Sequence, residues 1–100
     1  MLFALIGTHD PQTCPGSDDE IRQKALSIGP RLEGVNKEHG VTMHGTWIAQ
    51  ANHTTYGIVD APSAHEAQAA LIDLGLIEWN TYEIHPVITL EEGMQELAQQ

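Results

Sequence analysis

The stretch Val41 to Asp60, VTMHGTWIAQANHTTYGIVD, constrains this chain more than any other, because its pattern fits one local structure. Val, Thr, Ile, Trp and Tyr dominate its two halves, and such residues suit a pleated, half-buried surface. Between them Gln50-Ala51-Asn52 is a short polar turn, so the stretch reads as a hairpin. Closing the turn between Ala49 and Asn52 sets Ile48 opposite His53, Thr46 opposite Thr55 and His44 opposite Gly57. The side-chain period of two then sorts the residues into faces. Val41, Met43, Trp47, Tyr56 and Ile58 fall on one, which reads as core. Thr42, His44, Thr46, His53 and Thr55 fall on the other, and a sheet face made of His and Thr points to a site.

The segments around the hairpin complete a small fold. Leu2 to Thr8 is an apolar run without polar alternation at its start, the signature of a central strand buried on both faces. The loop His9 to Gly16 follows, and then Ser17-Asp18-Asp19-Glu20 forms a capping box. Ile21, Ala25, Ile28, Leu32 and Val35 recur at helical spacing, with a kink or a break expected at Gly29-Pro30. Gly40 suits a left-handed cap. After the hairpin, Ser63-Ala64-His65-Glu66 opens a second helix, with Ala67, Ala70, Leu71 and Leu74 as its buried stripe and Gly75 as its stop. Thr81 to Ile88 reads as a fourth strand, and Pro86 favours an edge position because proline cannot donate to the ladder. Tyr82, Ile84 and Ile88 share one of its faces, Glu83, His85 and Val87 the other. Thr89-Leu90-Glu91-Glu92 caps a short third helix. The class is therefore α+β: a ferredoxin-like βαββαβ order with a C-terminal helix and a four-stranded antiparallel sheet, one domain over residues 1–100. Helices cover one face of such a sheet, and the other face needs a partner.

Charge narrows the partners. Four Lys plus Arg against fourteen Asp plus Glu leave a net charge of −10, which repels phosphate backbones and anionic lipid. Nucleic acid and membrane surfaces are thus not expected partners, and a cytoplasmic location is expected from the start MLFALIG, which lacks a basic leader. One cysteine, Cys14, excludes an intramolecular disulfide and a Cys-only zinc site.

From Gly40 to Leu90 the chain resembles the small dimeric α+β-barrel families. A Trp-bearing second strand, a third strand running from His53 through Tyr56 to Asp60-Ala61-Pro62-Ser63, and the closing IHPVITLEE carry the likeness. It looks like relatives of muconolactone isomerase, of antibiotic-biosynthesis monooxygenases and of a small His-rich nickel-binding protein. The resemblance implies a homodimeric barrel. Those relatives have different chemistries on one scaffold, so it names no reaction.

The topology also says which histidines meet. Strand one runs opposite to its neighbours, so His9 at its exit, His53 before strand three and His85 in strand four are expected at one end of the sheet, with Cys14 folding back over it. His44, about 13 Å from the level of His53, is left apart. Imidazole and thiolate suit Zn, Ni or Cu; the three imidazoles alone leave a coordination position open, which Cys14 as a fourth ligand would fill. The plainer reading has each His at a strand end bonded to backbone or water. His39 beside a helix end and His65 in a first helical turn fit that plainer reading.

Two functions follow. The first is a transition-metal-binding protein using His9, His53, His85 and Cys14. The second is a cofactor-free isomerase or monooxygenase acting on a small, partly apolar molecule. There His44 or His85 would act as general base tuned by Glu83, with Thr46, Thr55 and Tyr82 orienting the substrate.

Overall fold

A computed structural model describes residues 1–100. Strand β1, Leu2–Thr8, is flanked on both sides and runs antiparallel to β3, Thr54–Asp60, and β4, Thr81–Val87. Strand β2, Thr42–Ala49, pairs with β3 at the far edge, giving the order β2-β3-β1-β4. Helices α1, Asp19–Glu38, α2, Ala64–Leu74, and α3, Leu90–Ala98, complete the βαββαβα succession. The fold is the expected α+β, ferredoxin-like one, with Pro86 on an edge strand. No helix is long and apolar enough to cross a membrane.

The core lies between the sheet and the helices. Phe3, Leu5 and Val59 project from one side of the sheet onto Ala67, Ala70 and Leu71 of α2. A second cluster joins Ile28 of α1 to Leu74 and Trp79. Small residues on α2 let that helix approach the sheet closely, and its ends are fixed as the sequence suggests. The Ser63 hydroxyl accepts from the Glu66 amide at 3.1 Å, and Gly75 takes the left-handed φ of 79° that stops the helix. Helix α1 starts one residue later than expected, because the Asp18 carboxylate accepts from the Ile21 amide at 2.9 Å. It also runs unbroken through Gly29-Pro30. One missing amide is a local loss that the apolar stripe on either side outweighs.

The hairpin departs from its expected register. Ile48 stands opposite Thr55 and Thr46 opposite Gly57, two positions from the simple pairing. Between Met43 and Gly45 the ladder shifts, so His44 is an extra residue in a bulge and faces no partner. The bulge separates Met43, opposite the buried Val59, from Trp47, opposite Tyr56. Trp47, beyond the bulge, and Tyr56, which alternates with the buried Val59 along β3, are not core. They lie on the side of the sheet without helices, 59% and 46% exposed, with the indole folded over Gly45.

Helix α3 buries none of its residues. Leu90, Met94 and Leu97 recur at helical spacing and form an exposed apolar stripe on it.

On the helix side Gly7 makes room for Tyr82. A Cβ at Gly7 would lie 2.7 Å from Tyr82 Cε1 and Cζ and 2.9 Å from Thr55 Oγ1. Gly7→Ala is expected to push the half-buried ring aside and cost about 1–3 kcal/mol, the range for overpacking. Chemical denaturation would read this, and a change below about 0.5 kcal/mol would show that the ring moves freely.

Candidate metal centre and adjoining cavity

The end of β1 assembles the site by continuing its ladders one step. Thr8 stands opposite Thr54 on one side and Thr81 on the other. The next residue, His9, therefore falls between His53 and Asn80. Its amide donates to the His53 carbonyl at 3.2 Å, and its Nδ1 meets Asn80 Oδ1 at 3.0 Å. The Asn80 amide nitrogen donates to the Leu76 carbonyl at 3.0 Å, which fixes the side-chain oxygen toward His9. An amide oxygen only accepts, so His9 carries its proton on Nδ1 and keeps the Nε2 lone pair free. That Nε2 is buried and has no hydrogen-bond partner.

His53 is the one residue other than glycine with positive φ, at φ 49° and ψ 44°. It closes the single turn Gln50–Asn52, and the left-handed conformation reverses the chain into β3. Its Nδ1 is likewise buried without a partner. The two imidazoles meet edge-on, their centroids 5.4 Å apart. Two orphaned ring nitrogens side by side cost about 1–3 kcal/mol each unless something bonds them.

Cys14 is the third member. The loop after β1 turns back on itself through bonds from the Thr13 amide to the Asp10 carbonyl at 3.0 Å and from the Ser17 amide to the Cys14 carbonyl at 2.9 Å. Arg22 of α1 holds the same loop by donating to the Pro15 and Gly16 carbonyls at 3.1 and 3.2 Å. One ligand atom each from His9, Cys14 and His53 then lie within 4.8 Å of one another. A tetrahedral ion bound at about 2.0–2.3 Å wants its ligands roughly 3.3–3.8 Å apart, so closing the set takes about 1 Å of movement.

His85 does not join them. Thr81, not His85, is the residue of β4 level with Thr8, and His85 stands opposite Ala4, about 16 Å along the strand from His9. It projects with Glu83 from the face without helices, where its Nε2 meets Glu83 Oε1 at 3.1 Å. His44 is exposed in its bulge. His65 is exposed as well.

His39 has a more specific role than its position beside a helix end suggested. It caps α1 and bridges to α2, its ring nitrogens meeting Asp73 Oδ2 and, at 3.0 Å, Glu66 Oε2. The hydrogen bonds to Asp73 and then Glu66 raise its pKa above the ordinary value near 6.5. A raised folded value means the clamp is at full strength below about pH 6.5 and fades as pH rises through it. Native protein is expected to lose stability as pH rises above about 6.5, and His39→Gln to flatten that dependence. Equal slopes for the two proteins in urea titrations would contradict it.

A cavity of about 460 Å³ adjoins the metal-ligating set. His9, Cys14 and His53 form one wall, while Ala25 and Ile28 of α1, Ile48, Leu76 and Trp79 supply apolar surface. Thr55 and Tyr82 line the floor from the sheet. Burial raises the Tyr82 pKa further above its ordinary value, so its hydroxyl stays protonated. Two participants were not anticipated from the sequence, Asn80 and the cavity wall at Trp79. Asn80 was within reach, since the residue before Thr81 must flank the residue after Thr8.

A family model described as a domain of unknown function, DUF3303, matches residues 1–100. No curated protein matches the chain.

Proposed function

We propose that this chain, which belongs to the DUF3303 family, is a transition-metal-binding protein whose ligands are His9 Nε2, Cys14 Sγ and His53 Nδ1. The observation that carries the reading is the pair of buried, unbonded imidazole nitrogens beside a thiol. Anchoring His9 Nδ1 on Asn80 is the outer-shell support that metal-bound imidazoles commonly have. Imidazole and thiolate favour Zn, Ni or Cu, and three protein ligands leave a fourth position open. Elemental analysis of protein purified without a His tag tests this. About one metal per chain is expected, and neither metal nor a melting shift with Zn, Ni or Cu would end the reading.

The functional unit on this reading is a homodimer. Trp47 and Tyr56 on the bare sheet face and Leu90, Met94 and Leu97 on α3 are two apolar surfaces that the chain leaves uncovered. A helix of nine residues with nothing buried is marginal in water. A two-fold pair covers both surfaces with one self-complementary contact. The likeness to dimeric α+β barrels, including the nickel-binding one, points the same way. The alternative, a cofactor-free isomerase or monooxygenase, has the His85–Glu83 pair in its favour, facing that same interface. The metal reading is preferred because His9, Cys14 and His53 line the cavity and His44, Glu83 and His85 do not.

A further inference from the structure

We propose that the metal site and the cavity are one binding site, whose ligand is a small, mostly apolar molecule, at most singly charged, that carries one oxygen group. The inference rests on the metal reading above. The three ligating side chains belong to the cavity wall, so a metal held by them turns its open position toward the cavity and away from bulk water. A ligand oxygen displaces water from that position, and no bond within the ligand breaks.

Size, charge and polarity define the molecule. About 460 Å³ is at the small end of ligand pockets and suits a molecule of about ten to fifteen non-hydrogen atoms. The lining has no Lys or Arg, and the whole chain carries a net charge of −10. A divalent metal held by two neutral imidazoles and one thiolate keeps one positive charge, so a second anionic group on the ligand, away from the metal, would go unpaired in a half-enclosed space. Ile28, Ile48, Leu76 and Trp79 ask instead for a hydrocarbon body. Polar groups facing it are the metal-ligating set with Asn80, already bonded to His9 and the Leu76 carbonyl, the exposed Gln50, and the Thr55 and Tyr82 hydroxyls on the floor. Gly7 underlies both hydroxyl-bearing side chains, and a Cβ there would fill the floor they share. One oxygen directed at the metal, with Tyr82 as a neighbouring donor, satisfies these polar groups without a second charge.

Cobalt(II) in place of the native metal makes the site visible, with 4-methylphenol as the probe and toluene as the oxygen-free control. The probe is expected to shift the visible bands of the cobalt protein, and its methyl protons to relax faster with cobalt bound than with zinc. Toluene should leave the bands in place. Affinity for 4-methylphenol should fall at least ten-fold in metal-free protein and in Ala25→Phe, which fills the cavity while keeping the cobalt bands. Tyr82→Phe should weaken the probe several-fold and also keep the bands, and serves if the larger substitution disturbs folding. Cobalt bands that ignore saturating 4-methylphenol would overturn the joint site and leave metal binding standing. Equal probe affinity with and without metal would overturn it too. Failure to bind cobalt at all would remove the metal reading and this inference together.

Discussion

Replacing His9 with alanine is expected to lower metal affinity about 10²–10³-fold. Structural zinc sites bind with about 10–16 kcal/mol over four ligands, so one ligand contributes roughly 2.5–4 kcal/mol, at 1.4 kcal/mol per decade. His53→Asn should have a similar effect, and asparagine is the better control there because it tolerates the φ of 49° that alanine resists. Cys14→Ser removes the thiolate and with it the preference for borderline metals. Asn80→Ala touches no metal, yet it frees the His9 ring to rotate and change tautomer. A loss of about 10–100-fold is expected from it. His85→Ala is the counterpart, since His85 stands opposite Ala4 on the other face of the sheet. Competition against a chromophoric chelator would rank all five. A drop for His85→Ala equal to that for His9→Ala would sink the three-residue site.

Introducing a carboxylate into the proposed dimer contact is the other large effect. Trp47→Glu places a charge among the apolar residues of the bare sheet face, and Leu97→Glu does so on the stripe of α3. Central aromatic anchors commonly contribute 2 kcal/mol or more to an interface, so the dissociation constant should rise by at least about 30-fold. Sedimentation velocity at micromolar concentration should show a dimer for the native chain and mostly monomer for each variant. If Trp47→Glu sediments as native, the sheet face is not the contact. If only Leu97→Glu does, α3 lies outside it.

Strand and helix limits were legible because local chemistry fixes them. Leu2–Thr8, the Ser63 cap and the Gly75 stop stand as the sequence indicates. The meeting of His9 and His53 was legible too, since strand direction alone brings those ends together. What was hidden depends on register, which is set between strands. The bulge at His44 puts Met43 and Trp47 on opposite faces, although period-two counting assigns them to one side, and Tyr56 is on the bare face because β3 alternates from the buried Val59. His85 was not hidden in this way: an antiparallel strand that starts at Thr81 puts its first residue, not its fifth, beside the end of β1. Thr81 takes the place beside Thr8, and four residues of extended chain carry His85 away. The third member of the cluster, Cys14, depends on a loop whose fold is written in backbone bonds rather than in side-chain pattern.

The bulge in β2 has a consequence for how this protein tolerates changes in length. Removing one residue from the middle of a paired strand normally turns every later side chain to the opposite face. His44 is the exception, because it is already surplus to the ladder: Met43 pairs with Val59 and Gly45 with Ile58. Deleting it should splice two segments that are already in phase, and leave Met43 toward the helices and Trp47 away from them. Deleting Thr46 instead should swing Trp47 toward the helices, and that chain is expected not to fold. Circular dichroism and melting of the two deletion proteins would separate a strand with a removable residue from one without, and loss of the fold in both would show that the bulge is itself required.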